Sequence, residues 1–244
     1  MKPFTLIIAL LLIWEGYTRA GFISEKILPP PTAIWQALLT HWQILLPHTM
    51  QTLVEALIGL AVAIILGIIV AIFIFLSNSL RKAVYPILVF SQTIPIIALA
   101  PLLLIWFGFD LLPKVIIVAL YCFFPITIAV SDALLHTDAA LIDLLRSMRA
   151  TKWQMLWFVR LPAALPAFLS GLRIAVTYAM AGAIVGEYVG AYQGLGVYMQ
   201  RTANTHAVVL IFASLAIIVM VTIGLLGIVF LFEKILTPWK KTYV

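Results

Sequence analysis

The chain has 244 residues, 64% hydrophobic and 10% charged, with a mean hydropathy of +1.16. So little polar surface cannot coat a water-soluble globule of this length, and the chain reads as an all-α, polytopic integral membrane protein in a single domain, residues 1–244. The formal charge of +6 does not point to nucleic acid, because the basic residues fall between apolar spans and are not interleaved with exposed aromatics.

The N-terminus, Met1-Lys-Pro followed by Phe4 to Trp14, has the basic start and apolar run of a signal peptide. It lacks a small-x-small cleavage site, which predicts a retained first helix carrying Glu15 near its outer end. Leu28-Pro-Pro-Pro31 then breaks any helix. Residues 32–46, with Trp35, Trp42, Gln36, His41 and Gln43, read as a helix on the outer surface, where tryptophans sit at headgroup level.

Four long uncharged runs follow, Ala56 to Leu80, Ala83 to Phe109, Val115 to Ser131 and Ala207 to Phe232. A further span, roughly Phe168 to Gly190, is interrupted by Arg173 and contains Glu187, and with the first helix the predicted count is six. The lone cysteine, Cys122, lies in an apolar run, so no disulfide forms within the chain. With the N-terminus assigned to the cytoplasm, 11 of the 15 Lys and Arg residues fall inside, Arg173 among them, while Arg19, Lys26, Lys114 and Arg201 fall outside. That bias predicts that both termini are cytoplasmic.

Between the fourth and fifth spans stands a polar, basic island. Leu141, Leu144, Leu145 and Met148 repeat at helical spacing, as do Trp153, Leu156 and Trp157 after a break at Ala150-Thr151, which predicts two short amphipathic helices. Thr151 with Gln154 three residues on is a capping-box pattern for the second. Leu161-Pro162 marks an expected helix boundary.

Within the spans, Pro95 and Pro101 interrupt the third, and with Gln92 and Thr93 this is a candidate lining of a passage, or a structural kink. Gly182, Gly186 and Gly190 recur every four residues, a smooth face suited to close helix packing that can also shape a passage. Glu187 is either functional, as ionisable groups at membrane depth tend to be, or reaches the outer headgroups or caps a polar loop. Glu55 either lines a passage or, as the polar His48, Gln51 and Thr52 beside it favour, marks the outer end of the second span. The histidines, His41, His48, His136 and His206, show no metal spacing, so no metal site is expected. No G-x-x-x-x-G-K-[ST] loop occurs, so energy must come from another subunit or an ion gradient. A gradient-driven secondary transporter would commonly show inverted repeats and mid-membrane carboxylates, and neither is seen; an intramembrane enzyme would need a nucleophile and base or a metal pair, and none assembles.

The island resembles the EAA signature of the permease subunits of bacterial ABC importers, E-A-A, three residues, G, nine residues, I-x-L-P. Asp143 falls at the Glu, Leu144 and Leu145 at the alanines, Arg149 at the Gly, and Val159-Arg-Leu-Pro162 at the I-x-L-P. Thr93-Ile-Pro95, Trp106-Phe-Gly108, Phe123-Phe-Pro125, Gly171-Leu-Arg173 and Gly194-Leu-Gly196 stand in the order of the nitrate/taurine-type permeases. Gly186-Glu-Tyr-Val-Gly190 and Thr52-Leu-Val-Glu55 look more like the branch for thiamine-pyrimidine precursors and riboflavin.

The resemblance implies a type I importer fold with six transmembrane helices in the bacterial inner membrane, working as a homodimer with a periplasmic or lipid-anchored substrate-binding protein. Two copies of a separate ATPase would carry ATP and Mg, leaving this chain with no catalytic residue and no cofactor. A coupling segment at about 134–165 would dock on the ATPase through Asp143, Leu144, Leu145, Arg146, Met148, Arg149, Ala150, Thr151 and Trp153. The substrate would be a thiamine-pyrimidine precursor or riboflavin-like vitamin, the alternative being nitrate, taurine or an alkanesulfonate. Arg149 in place of Gly costs about 1–2 kcal/mol if the turn is left-handed, and an ion pair with an acidic residue of the ATPase is the expected compensation.

Overall fold

A computed structural model of the chain describes residues 3–238, and every regular element among them is helical. In order these are α1 (Pro3–Arg19), α2 (Pro31–Thr40), α3 (Trp42–Leu76), α4 (Asn78–Ser91), α5 (Ile96–Phe107) and α6 (Leu111–Leu135). After them come α7 (Ala139–Ser147), α8 (Lys152–Met155), a π-helical turn (Leu156–Arg160), α9 (Leu161–Gly190), α10 (Leu195–Asn204) and α11 (Val208–Leu236). Four stretches are long and apolar enough to cross a bilayer: α3, α6, the continuous run Lys152–Gly190, and α11. Counted together, α4 and α5, which meet at 98° across residues 92–95, bring the number to five. The sixth expected span, α1, has 17 residues and so rises about 26 Å, short of the roughly 30 Å hydrocarbon thickness.

Several boundaries differ from the sequence reading, each for an identifiable reason. The outer-surface helix expected over 32–46 ends at Thr40, and residues 42–46 open α3 instead. The polar start of α3 is tolerated because its side chains are satisfied locally: the buried Thr49 hydroxyl donates to the Leu45 carbonyl at 2.8 Å. The boundary expected at Leu161-Pro162 is absent. The π turn just ahead of it widens the backbone where Pro162 has no N–H to give, and the helix runs on into α9. Arg173, counted above with the cytoplasmic cations, is inside α9, hydrogen-bonded to Glu233 and lying 4.6 Å from the Phe230 ring centroid of α11. Lys114, counted outside, is buried in the first turn of α6. Lys2, Lys240 and Lys241 lie outside the described residues.

The core is built around α6. Its residues Val118, Cys122, Ile126 and Val130 pack between Ala56, Leu60 and Ala63 of α3 and Ala175, Val176, Ala179 and Ala183 of α9. Small residues set the helix separation: a Cβ on Gly59 would fall 2.4 Å from the Val118 Cβ. A second cluster, Ile34 and Leu38 of α2, Leu45 of α3, Leu195 and Tyr198 of α10 and Ala213 and Ile217 of α11, ties the other end of the bundle together.

Candidate functional site

The first amphipathic helix that the periodicity predicts is α7; the second is no separate short helix, because α8 runs through the π turn, where Leu156 is buried, into α9. Asp138 caps α7 by accepting from the Ala140 N–H at 2.9 Å. At its other end the Arg149 N–H donates to the Arg146 carbonyl and the Ala150 N–H to the Leu145 carbonyl, both at 2.9 Å. Those two bonds, with Arg149 at φ 59°, make a Schellman motif in which Arg149 holds the left-handed position usually given to glycine. Thr151 and Gln154 form the capping box, at 3.2 Å for the Gln154 N–H to the hydroxyl and 2.7 Å for the reciprocal bond.

The stripe of α7 faces outward. Leu141, Leu144 and Met148 are exposed, Leu145 is half-buried, and the residue that anchors the helix is Ile142, which the stripe did not include. Trp153, Trp157 and Phe158 are exposed beside it. Asp143 and Arg146 pair with each other at 3.0 Å on the surface, while Arg149 makes no ion pair among the described residues. The base of the segment is stitched to the bundle by Arg160, which donates to the Leu134 carbonyl at the end of α6 and lies 4.6 Å from the Phe75 ring centroid of α3. A firmly rooted, apolar and unpartnered surface is what a docking element needs.

The candidate passage residues divide between two places. Gln92 and Pro95, at the break between α4 and α5, line a cavity of about 340 Å³ with Ile94, Ile96, Tyr121, Phe124, Pro125 and Tyr178. Thr93 is exposed beside them, its hydroxyl turned back to the Phe90 carbonyl. Sequence reasoning missed the three aromatics; the spacing of Tyr121 and Phe124 on one helix face was the available signal. Gly182 and Gly186 pack on α6, where added Cβ atoms would lie 3.2 Å from the Val118 Cα and 3.3 Å from the Lys114 Cα.

Glu187 lies with Glu55 in a buried polar knot, and neither reaches headgroups. Glu55 is 0% and Glu187 1% exposed, both buried against protein. Glu55 pairs with Lys114 at 3.2 Å and accepts from the Gln51 amide at 2.8 Å. Glu187 accepts from the Thr52 hydroxyl at 2.5 Å and the Gly196 N–H at 2.6 Å, at the N-terminal turn of α10 where a negative charge is favoured. The Leu195 N–H donates to Thr52 at 2.9 Å, and the Gly194 N–H to His48 Nδ1 at 3.0 Å. The Gly194-Leu-Gly196 motif has its explanation here. Gly194 sits at φ 141°, and a Cβ there would fall 2.2 Å from the Glu187 carboxyl carbon. The knot fastens α10 to α3 and α9.

The profile described as "Binding-protein-dependent transport system inner membrane component" matches residues 63–242. The formylaminopyrimidine transport permease protein ThiX of Halalkalibacterium halodurans is 38% identical, over 99% of this chain and 96% of its own length. The riboflavin transport system permease protein RibX of Chloroflexus aurantiacus is 36% identical, over 98% of this chain and 90% of its own. In fold the chain is similar to a subunit of the MetNI methionine ABC transporter in an inward-facing conformation. The TM-score is 0.62 at 21% identity, over 78% of this chain and 98% of that one.

Proposed function

The chain belongs to the binding-protein-dependent transport system inner membrane component family, the permease subunits of ABC importers, and we propose that two copies of it enclose a substrate passage driven by two copies of a separate ATPase. ATP and Mg are held on that ATPase, and a periplasmic or lipid-anchored binding protein delivers the substrate. The exposed face of α7 and α8 carries this reading: Leu144 and Met148 with Trp153 supply apolar anchors, and Asp143, Arg146, Arg149, Ala150 and Thr151 a polar rim, for a groove on the ATPase. With Arg173 and Lys114 set aside as residues inside α9 and α6, the Lys and Arg bias is 10 to 3 and supports cytoplasmic termini with α7 on the ATP side.

The transported molecule is a small polar compound of the kind of a thiamine-pyrimidine precursor or riboflavin, supported by the names of two relatives that match nearly the whole chain. The test is co-purification of the ATPase with Leu144→Glu and Met148→Glu variants. Both side chains are exposed, so folding is retained, and ATPase recovery falls at least about tenfold, as expected when interface anchors are lost. Unchanged recovery refutes the coupling role.

A further inference from the structure

We propose that the cavity at the α4–α5 break is a ring-binding subsite of the passage, taking a planar heteroaromatic group of no net charge against Tyr121, Phe124 and Tyr178, with Gln92 addressing its polar edge; this rests on the permease reading above. Irregular backbone at membrane depth persists only where protein buries it or where it lines a cavity, and the turn at 92–95 lines this one. Tyr178 stands near the middle of α9, well away from both ends of that helix.

The lining selects the ligand class. Tyr121 and Tyr178 lie 6.3 Å apart between ring centroids and are tilted by 58°, and Tyr178 is exposed, so ring surface is presented to the cavity for stacking. Neither phenol hydroxyl has a hydrogen-bond partner among the described residues, and the same holds for the Gln92 carboxamide. Two hydroxyls and an amide are therefore free for the nitrogens and oxygens of a ring edge. The hydroxyls of Ser91 and Thr93 are spent on the Ile87 and Phe90 carbonyls of the preceding turn.

No Lys, Arg, Asp or Glu lines the cavity, and Arg173, the cation on α9, is committed to Glu233. A nitrate or sulfonate entering would shed water with no countercharge to replace it, whereas a neutral ring would exchange water for aromatic faces. The volume of about 340 Å³ is that of a small-molecule site.

The test uses the complex purified through a tag on this chain from its native membrane and reconstituted in proteoliposomes. ATP-dependent uptake is measured for a labelled neutral aminopyrimidine, riboflavin and taurine. Uptake of a ring compound in preference to taurine is expected. Tyr178→Leu and Tyr121→Leu should lower it by about tenfold, while Tyr178→Phe and Tyr121→Phe, which keep the face and drop the hydroxyl, stay within about threefold. Leu variants that transport like the parent chain, a preference for taurine, or uptake of no ring compound by a complex that hydrolyses ATP would each overturn the subsite. Absence of a co-purifying ATPase would instead overturn the permease reading on which it rests.

Discussion

Arg149 concentrates two opposed effects in one side chain, and three substitutions separate them. The residue holds φ 59° at the end of α7, a conformation that costs a non-glycine residue about 1–2 kcal/mol, yet its guanidinium is exposed with no ion pair in the described chain. Arg149→Gly removes both strain and charge, Arg149→Ala removes the charge and keeps the strain, and Arg149→Lys keeps both. If the cation pairs with an acidic group of the ATPase, Gly and Ala variants lose about 1–2 kcal/mol of docking, a fall of roughly 5- to 30-fold in affinity, and Lys loses little. The loss should shrink as salt is raised, because exposed charges are screened. At the same time Arg149→Gly should be the most stable of the three by about 1 kcal/mol, since the Schellman bonds to Leu145 and Arg146 remain and only strain is relieved. The measurements are ATPase affinity for the detergent-solubilised chain at two salt concentrations, and coupled ATP hydrolysis in proteoliposomes. Gly and Ala variants that bind and couple like the parent at both salt concentrations would refute the ion-pair argument and leave Arg149 as uncompensated strain.

Other parts of the structure make equally definite statements. Lys114→Met leaves the buried Glu55 without its cation and should cost about 3–5 kcal/mol, read as a lower midpoint of thermal unfolding, while adding Glu55→Gln should restore most of it; purely additive losses would contradict the pairing. Gly59→Ala drives a Cβ into the Val118 side chain on a helix that cannot yield freely, an expected loss of about 1–3 kcal/mol by the same measurement. Thr151→Ala removes one half of the capping box and should cost about 1 kcal/mol locally, seen as faster amide exchange at Gln154 with the rest of the bundle unchanged.

Much of this was legible in the residues because the bilayer imposes a simple rule. Backbone groups in hydrocarbon must be satisfied within a helix, so an uncharged run of sufficient length is a helix, and the cores of α3, α6 and α11 could be read directly. The capping box at Thr151 and the odd turn at Arg149 were legible for a related reason: both are local, set by side chains and backbone within a few residues. Local rules also misled at the ends of elements. The polar start of α3 and the prolines opening α9 look like boundaries until their satisfaction by neighbouring turns is seen.

What the sequence by itself determined is therefore the membrane class, the long apolar helices α3, α6 and α11, and the place of the α7–α8 segment with its caps, since hydropathy and capping depend on near neighbours in the chain. Only the tertiary structure decided the rest. It buried Glu55 and Glu187 with Lys114, Thr52 and the Gly194-Leu-Gly196 loop, partners up to 143 residues apart in the chain. It turned Leu144 and Met148 outward and Ile142 inward, and brought Tyr121 of α6 and Tyr178 of α9 to the break before α5. A residue's periodicity tells which face of its helix it occupies. What that face meets depends on how α3, α6 and α9 pack, and that is set by side-chain volumes on helices far apart in sequence.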